Sequence, residues 1–92
     1  MEFTFEPGRL YHETDGQVDA EILFPAINYG QTWSMDYTFV DPALRAQGIA
    51  GQLLAEVVRR AQVDQVTLRP VCSYARMAFF RNPEYQALQA KS

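Results

Sequence analysis

An α/β fold built on a compact mixed sheet is predicted by three features of the sequence. The first forty residues alternate apolar and polar side chains between turn signals, as half-buried antiparallel strands do. Residues 49–61 form an amphipathic helix, and residues 65–71 beyond it are a short β-rich segment. A strand, helix, strand order joins a parallel pair through a right-handed crossover. An antiparallel meander of three or four strands therefore leads into a strand, loop, helix, strand unit, followed by C-terminal helices.

Pro7-Gly8 and Asp15-Gly16 are the first corners, with a strand at Arg9-Leu10-Tyr11-His12-Glu13 between them. A second strand runs from Val18 to Phe24 and a third, after Pro25 and Asn28-Tyr29-Gly30, from Trp33 to Val40. Period-two alternation puts Trp33, Met35, Tyr37 and Phe39 on its core face and Ser34, Asp36 and Thr38 on the polar one. At Asp41-Pro42 the period changes, since Asp41 can cap and Pro42 fits a first helical turn. After Gly48, the i+4 row Ile49, Leu53, Val57, Ala61 runs beside Ala50, Leu54, Val58, with Gln52, Glu56, Arg59 and Arg60 opposite. Gln65 to Val71 is the next strand. Ser73 caps a helix through Phe80 that ends at Asn82-Pro83, and Glu84 to Ala90 is a short helical tail. Trp33, Phe79 and Phe80 are read as core.

Ninety-two residues make one domain, 1–92. Eight basic against eleven acidic side chains give a net charge of −3, which argues against general nucleic-acid or anionic-lipid binding. A single cysteine, Cys72, closes no intrachain disulfide, and with His12 the only histidine no metal-ligand spacing exists. The N-terminus has neither a basic start nor a sustained apolar run, and no stretch approaches about 18 apolar residues. The chain reads as cytoplasmic, metal-free and without membrane contact.

The informative stretch is Arg45-Ala46-Gln47-Gly48-Ile49-Ala50-Gly51, between a strand and the amphipathic helix. Small residues let the backbone turn tightly there and leave the first-turn amides of Gly48, Ile49, Ala50 and Gly51 unpaired, which suits a phosphate group. The P-loop ending and the third glycine of a dinucleotide fingerprint are both absent, so ATP and NAD fit poorly.

Arg45, Gly48 and Ala50 fall at the places of the coenzyme A pyrophosphate loop of the GNAT superfamily of N-acetyltransferases, which this segment resembles. Asp36 to Val40, Leu44 to Ala50, Pro70 to Tyr74 and Pro83 to Tyr85 look like successive landmarks of its short, YjdJ-type subfamily of acetyltransferases. The likeness covers most of residues 18 to 88. Two departures stand out: Tyr37 where relatives commonly have histidine, and Ala46 where they often have glycine.

The resemblance implies acetyl-CoA or CoA as cofactor and transfer of an acetyl group to an amine, on a small molecule or a protein. Phe39 and Val40 would offer main-chain groups to the pantetheine arm. Amides from Gln47 to Gly51 (Gln47, Gly48, Ile49, Ala50, Gly51) would hold the pyrophosphate, with Arg45 adding a charge-assisted contact. The thioester would arrive near residues 71 to 74. Cys72 is there a nucleophile or a small buried hydrophobe, Tyr74 a proton donor to the departing thiolate, and Thr38 a hydroxyl orienting substrate. Glu21, Asp36 and Tyr37 are candidate bases by location only. Arg59 and Arg60 solvate the helix face or meet a 3′-phosphate. Because the chain is too short for the superfamily's additional elements, the acceptor pocket is open, or is completed by a second copy or a larger partner. A non-catalytic CoA or acyl-CoA sensing module and a cofactor-free interaction domain are the rival readings.

Overall fold

The computed structural model describes residues 1–91. Seven strands, a 3-10 turn and three helices follow one another as β1 (Thr4–Glu6), β2 (Arg9–Thr14), β3 (Gln17–Leu23), β4 (Ala26–Ile27), β5 (Thr32–Met35), β6 (Tyr37–Val40), the 3-10 turn (Pro42–Gln47), α1 (Ile49–Asp64), β7 (Thr67–Pro70), α2 (Ser73–Arg81) and α3 (Pro83–Gln86). The strands form two sheets, β1-β2-β3-β6 and β4-β5-β7, in which only β5 and β7 run parallel. That parallel pair, joined through α1, is the crossover the sequence predicts.

The run from Trp33 to Val40, expected as one strand, is broken at Asp36. Trp33 faces Ala26 and Tyr37 faces Leu23, so the chain advances four positions while its partner advances three. Asp36 is the extra residue of a β-bulge, its N–H donating to Leu23 O at 3.0 Å. A one-residue insertion reverses which face each later side chain takes. Trp33 and Met35 are buried as expected, but Tyr37, expected in the core, is 46% exposed, and Val40 is buried instead. The bulge also passes the chain from one sheet to the other, which separates β6 from β7.

The core lies where α1 covers the inner face of both sheets. Leu53 and Val57 on α1 meet Leu10, Ile22, Met35 and Leu68 from the strands, all of them solvent-inaccessible. Phe24 packs against Trp33 with ring centroids 5.2 Å apart and the planes tilted by 44°. Phe79 is buried as expected, whereas Phe80 is 81% exposed because the α2 face toward the core carries Ala75 and Phe79. The C-terminal tail is helical only through Gln86. Leu68 N then donates to Leu88 O, and Ala90 N to Leu68 O, both at 2.8 Å, so the tail lies along the outer edge of β7 and covers it.

On the solvent side of α1, Glu56 accepts two hydrogen bonds from Arg59, at 2.9 and 2.7 Å, and one from Arg60 at 2.7 Å. Arg60 also lies 4.1 Å over the Phe5 ring and so ties the helix to β1. Hydrogen bonding from Arg59 first, then Arg60, holds the Glu56 carboxyl down at about 2. A carboxylate whose folded value is depressed contributes stability that is present above its unfolded value and lost as the pH falls through the folded one. Glu56→Gln is therefore expected to cost about 1 kcal/mol after solvent screening. In urea titrations the gap from the parent should be full at pH 7 and shrink as the pH falls from about 4.5 toward 2.

Candidate functional site

The separation of β6 from β7 leaves a cleft. On one side, Asp41 N donates to Asp19 O at 2.8 Å, which makes that pair a hydrogen-bonded one in the β3-β6 ladder. Antiparallel alternation then turns the main chain of Phe39 toward β3 and that of Thr38 and Val40 toward the open edge. Of the two residues expected to offer main-chain groups, Val40 faces the cleft and Phe39 does not, and Thr38 takes its place. The Val40 carbonyl is met by Arg45, whose Nε donates to it at 3.1 Å. This contact has no signature in the sequence.

On the other side, the N–H groups of Val71 and Cys72 both donate to Met35 O, at 3.1 and 3.0 Å. The chain leaves the β5 ladder at that point. At the narrow end of the cleft Thr38 Oγ1 and Cys72 Sγ approach to 3.5 Å, the one side-chain bond across it among the described residues.

The wide end opens on the start of α1. Gly48 links the 3-10 turn to the helix in the left-handed conformation, φ 72° and ψ 22°, which only glycine adopts without strain. No side chain caps the helix there. The first bond of the α1 ladder is Gln52 N to Gly48 O at 3.2 Å, so the N–H groups of Gly48, Ile49, Ala50 and Gly51 have no acceptor within that helix. A Cβ on Gly48 would meet nothing within 4 Å. An uncapped helix N-terminus, with its first-turn donors and the positive end of the helix dipole, fits a diphosphate.

Tyr74 spans the cleft from α2: a Cβ on Gly51 would lie 3.8 Å from its hydroxyl. The phenol is 38% exposed, and burial first, then Tyr85 and Cys72, raises it above the ordinary phenol value. It is a proton donor throughout the neutral range.

Cys72, not Ser73, is the N-cap of α2: its Sγ accepts from Ala75 N at 3.4 Å while Ser73 enters the first turn. No carboxylate or imidazole contacts Sγ among the described residues. Two of the three candidate bases are engaged elsewhere, while Tyr37 is exposed. Glu21 binds Arg9 on the outer face of the larger sheet, whose other residues include Tyr11 and Phe39 by register, and Asp36 accepts from Ser34 Oγ. His12 pairs with Asp19 at 2.7 Å, and Arg59 and Arg60 are held by Glu56. Among the described residues no cluster of side chains is placed to hold a metal, and no helix is long and apolar enough to cross a membrane.

A family profile described as GCN5-related N-acetyl-transferase matches residues 9–88. No curated protein sequence matches the chain. Among solved structures, it is similar to a Staphylococcus aureus protein assigned as a GCN5-like N-acetyltransferase, with TM-score 0.80 and 23% identity over 99% of this chain and 89% of that one. The ribosomal-protein-alanine N-acetyltransferase of Brucella melitensis biovar Abortus 2308 is similar at TM-score 0.61 and 17% identity, over 91% of this chain and 63% of that one. A Desulfovibrio desulfuricans protein assigned to the GNAT family of acetyltransferases gives 0.59 and 19%, over 78% of this chain and 49% of that one. At these identities the structures share the fold.

Proposed function

The chain belongs to the GCN5-related N-acetyltransferase family, and from that premise we propose that it binds acetyl-CoA in the cleft between β6 and residues 71–74 and passes the acetyl group directly to an amine. The observation that carries this is a run of main-chain groups along one path: the edge at Thr38 and Val40 that does not pair with β3, where the Arg45 side chain meets the Val40 carbonyl, then the first-turn amides of α1. A pantetheine arm pairs with such an edge as an added strand does, and a pyrophosphate takes such amides. Arg45 stands between the two and can turn its guanidinium to the phosphates, releasing the Val40 carbonyl. The bound thioester supplies an activated acetyl group.

At the narrow end, Thr38 and Cys72 close the cleft, and the raised Tyr74 phenol is placed to give its proton to the sulfur that leaves. Cys72 is assigned to capping α2, because its sulfur already accepts an amide and has no base beside it. Water takes the proton that the amine must lose before it attacks.

Mass spectrometry with acetyl-CoA tests this reading. Native spectra should show a complex, and denatured spectra no acetyl adduct. Cys72→Ser, which keeps a capping atom, should retain turnover within about threefold, whereas Cys72→Ala should lose about 1 kcal/mol of stability with the cap. A denaturation-resistant adduct that vanishes in Cys72→Ser would replace direct transfer by a Cys72 acyl intermediate. Absence of the native complex would remove the cofactor reading.

A further inference from the structure

We propose that the groove between α2 and the C-terminal tail is the acceptor site and takes a small amine that carries a carboxylate and an apolar side chain, of which an apolar α-amino acid is the simplest. This rests on the cofactor reading above. The groove has a volume of about 740 Å³, within the range of small-molecule sites. Pro70 and Ser73 line one end of it, and they flank Val71 and Cys72 in the chain, the segment beside which the thioester would sit.

Its α2 wall is formed by residues 73, 76, 77 and 80, which share one helix face. Met77 and Phe80 stand 51% and 81% exposed there, a large apolar surface for a chain of this size. The opposite wall is preformed: Gln86 Nε2 donates to Phe79 O at 2.9 Å and to Phe80 O at 3.2 Å, fixing α3 against α2.

Charge selects the ligand. Arg76 is the one ionisable side chain lining the groove, and it has no ion-pair partner among the described residues. A guanidinium beside apolar walls takes a carboxylate in a two-point contact and disfavours a polycation. Along the helix axis Arg76 lies about 6 Å beyond Cys72. A carboxylate held by Arg76 therefore leaves the neighbouring amine directed at the cleft. The amine nitrogen forms its bond to the thioester carbonyl carbon as the carbon–sulfur bond breaks. Of the two protons the ammonium loses, one goes to solvent and one replaces the proton that Tyr74 gives to the departing thiolate.

Leucine and leucinamide, which differ in the carboxylate, are the probes, with backbone amide NMR shifts as the readout on the full chain. Leucine should shift the amides of Ser73, Arg76, Met77 and Phe80 and bind about tenfold more tightly than leucinamide. Arg76→Gln should abolish that preference, and Phe80→Ala should weaken both ligands. Equal binding of the two probes, shifts confined to another face, or no shifts at all would overturn the groove assignment. Coenzyme A titrated into the same sample reports separately: shifts at residues 48–51 uphold the cofactor reading, and their absence overturns it whatever leucine does.

Discussion

Gly48→Glu is expected to weaken coenzyme A binding by about a hundredfold or more while leaving the protein folded. Two separable effects act at this residue. Any side chain forces an L-residue into φ 72°, at a cost of roughly 1–2 kcal/mol. The glutamate adds a negative charge beside the first-turn amides, and its Cβ would meet no packed neighbour within 4 Å. Gly48→Ala carries the strain alone and should lose that stability while keeping its affinity within about threefold. Calorimetric titration with coenzyme A, paired with urea unfolding, resolves the two. Affinity of Gly48→Glu equal to that of the parent would place the anion site elsewhere.

Tyr74→Phe is expected to reduce turnover about a hundredfold with coenzyme A affinity unchanged, because the hydroxyl acts only as the sulfur leaves. The phenol is raised by burial and by its neighbours Tyr85 and Cys72, so activity should hold through neutral and mildly alkaline pH and decline only above the ordinary phenol range. The same shift bears on stability. A group whose folded value is raised contributes fully below the unfolded value, about 10, and that contribution is lost as the pH rises through the folded value. Tyr74→Phe should remove both dependences. A turnover profile identical to the parent's, in rate and alkaline limb, would assign the proton to another donor.

Under the proposed groove assignment, the acceptor would bind to α2, α3 and the tail of this chain. Sequence length alone suggested an open pocket or one supplied by a partner; the groove between α2, α3 and the tail offers a surface of this chain's own.

Local features were legible in the sequence because local physics sets them. The i+4 row from Ile49 to Ala61, the capping Asp41, and the small residues around Gly48 each act within a few positions of the chain. The loop's likeness to a coenzyme A site rests on Arg45, Gly48 and Ala50 together with the strand, loop, helix, strand order around them. Tertiary structure decided what depends on distant partners. The bulge at Asp36 exists because Leu23 and Ala26 demand different registers, and it is the bulge that exposes Tyr37, buries Val40 and opens the cleft. Thr38 meets Cys72, and Tyr74 meets Gly51, across 34 and 23 positions of sequence. Phe80 reads as core in a list of apolar residues, yet it is exposed, since the orientation of α2 was spent on burying Ala75 and Phe79. Periodicity specifies which face of an element is apolar; only packing specifies what that face meets.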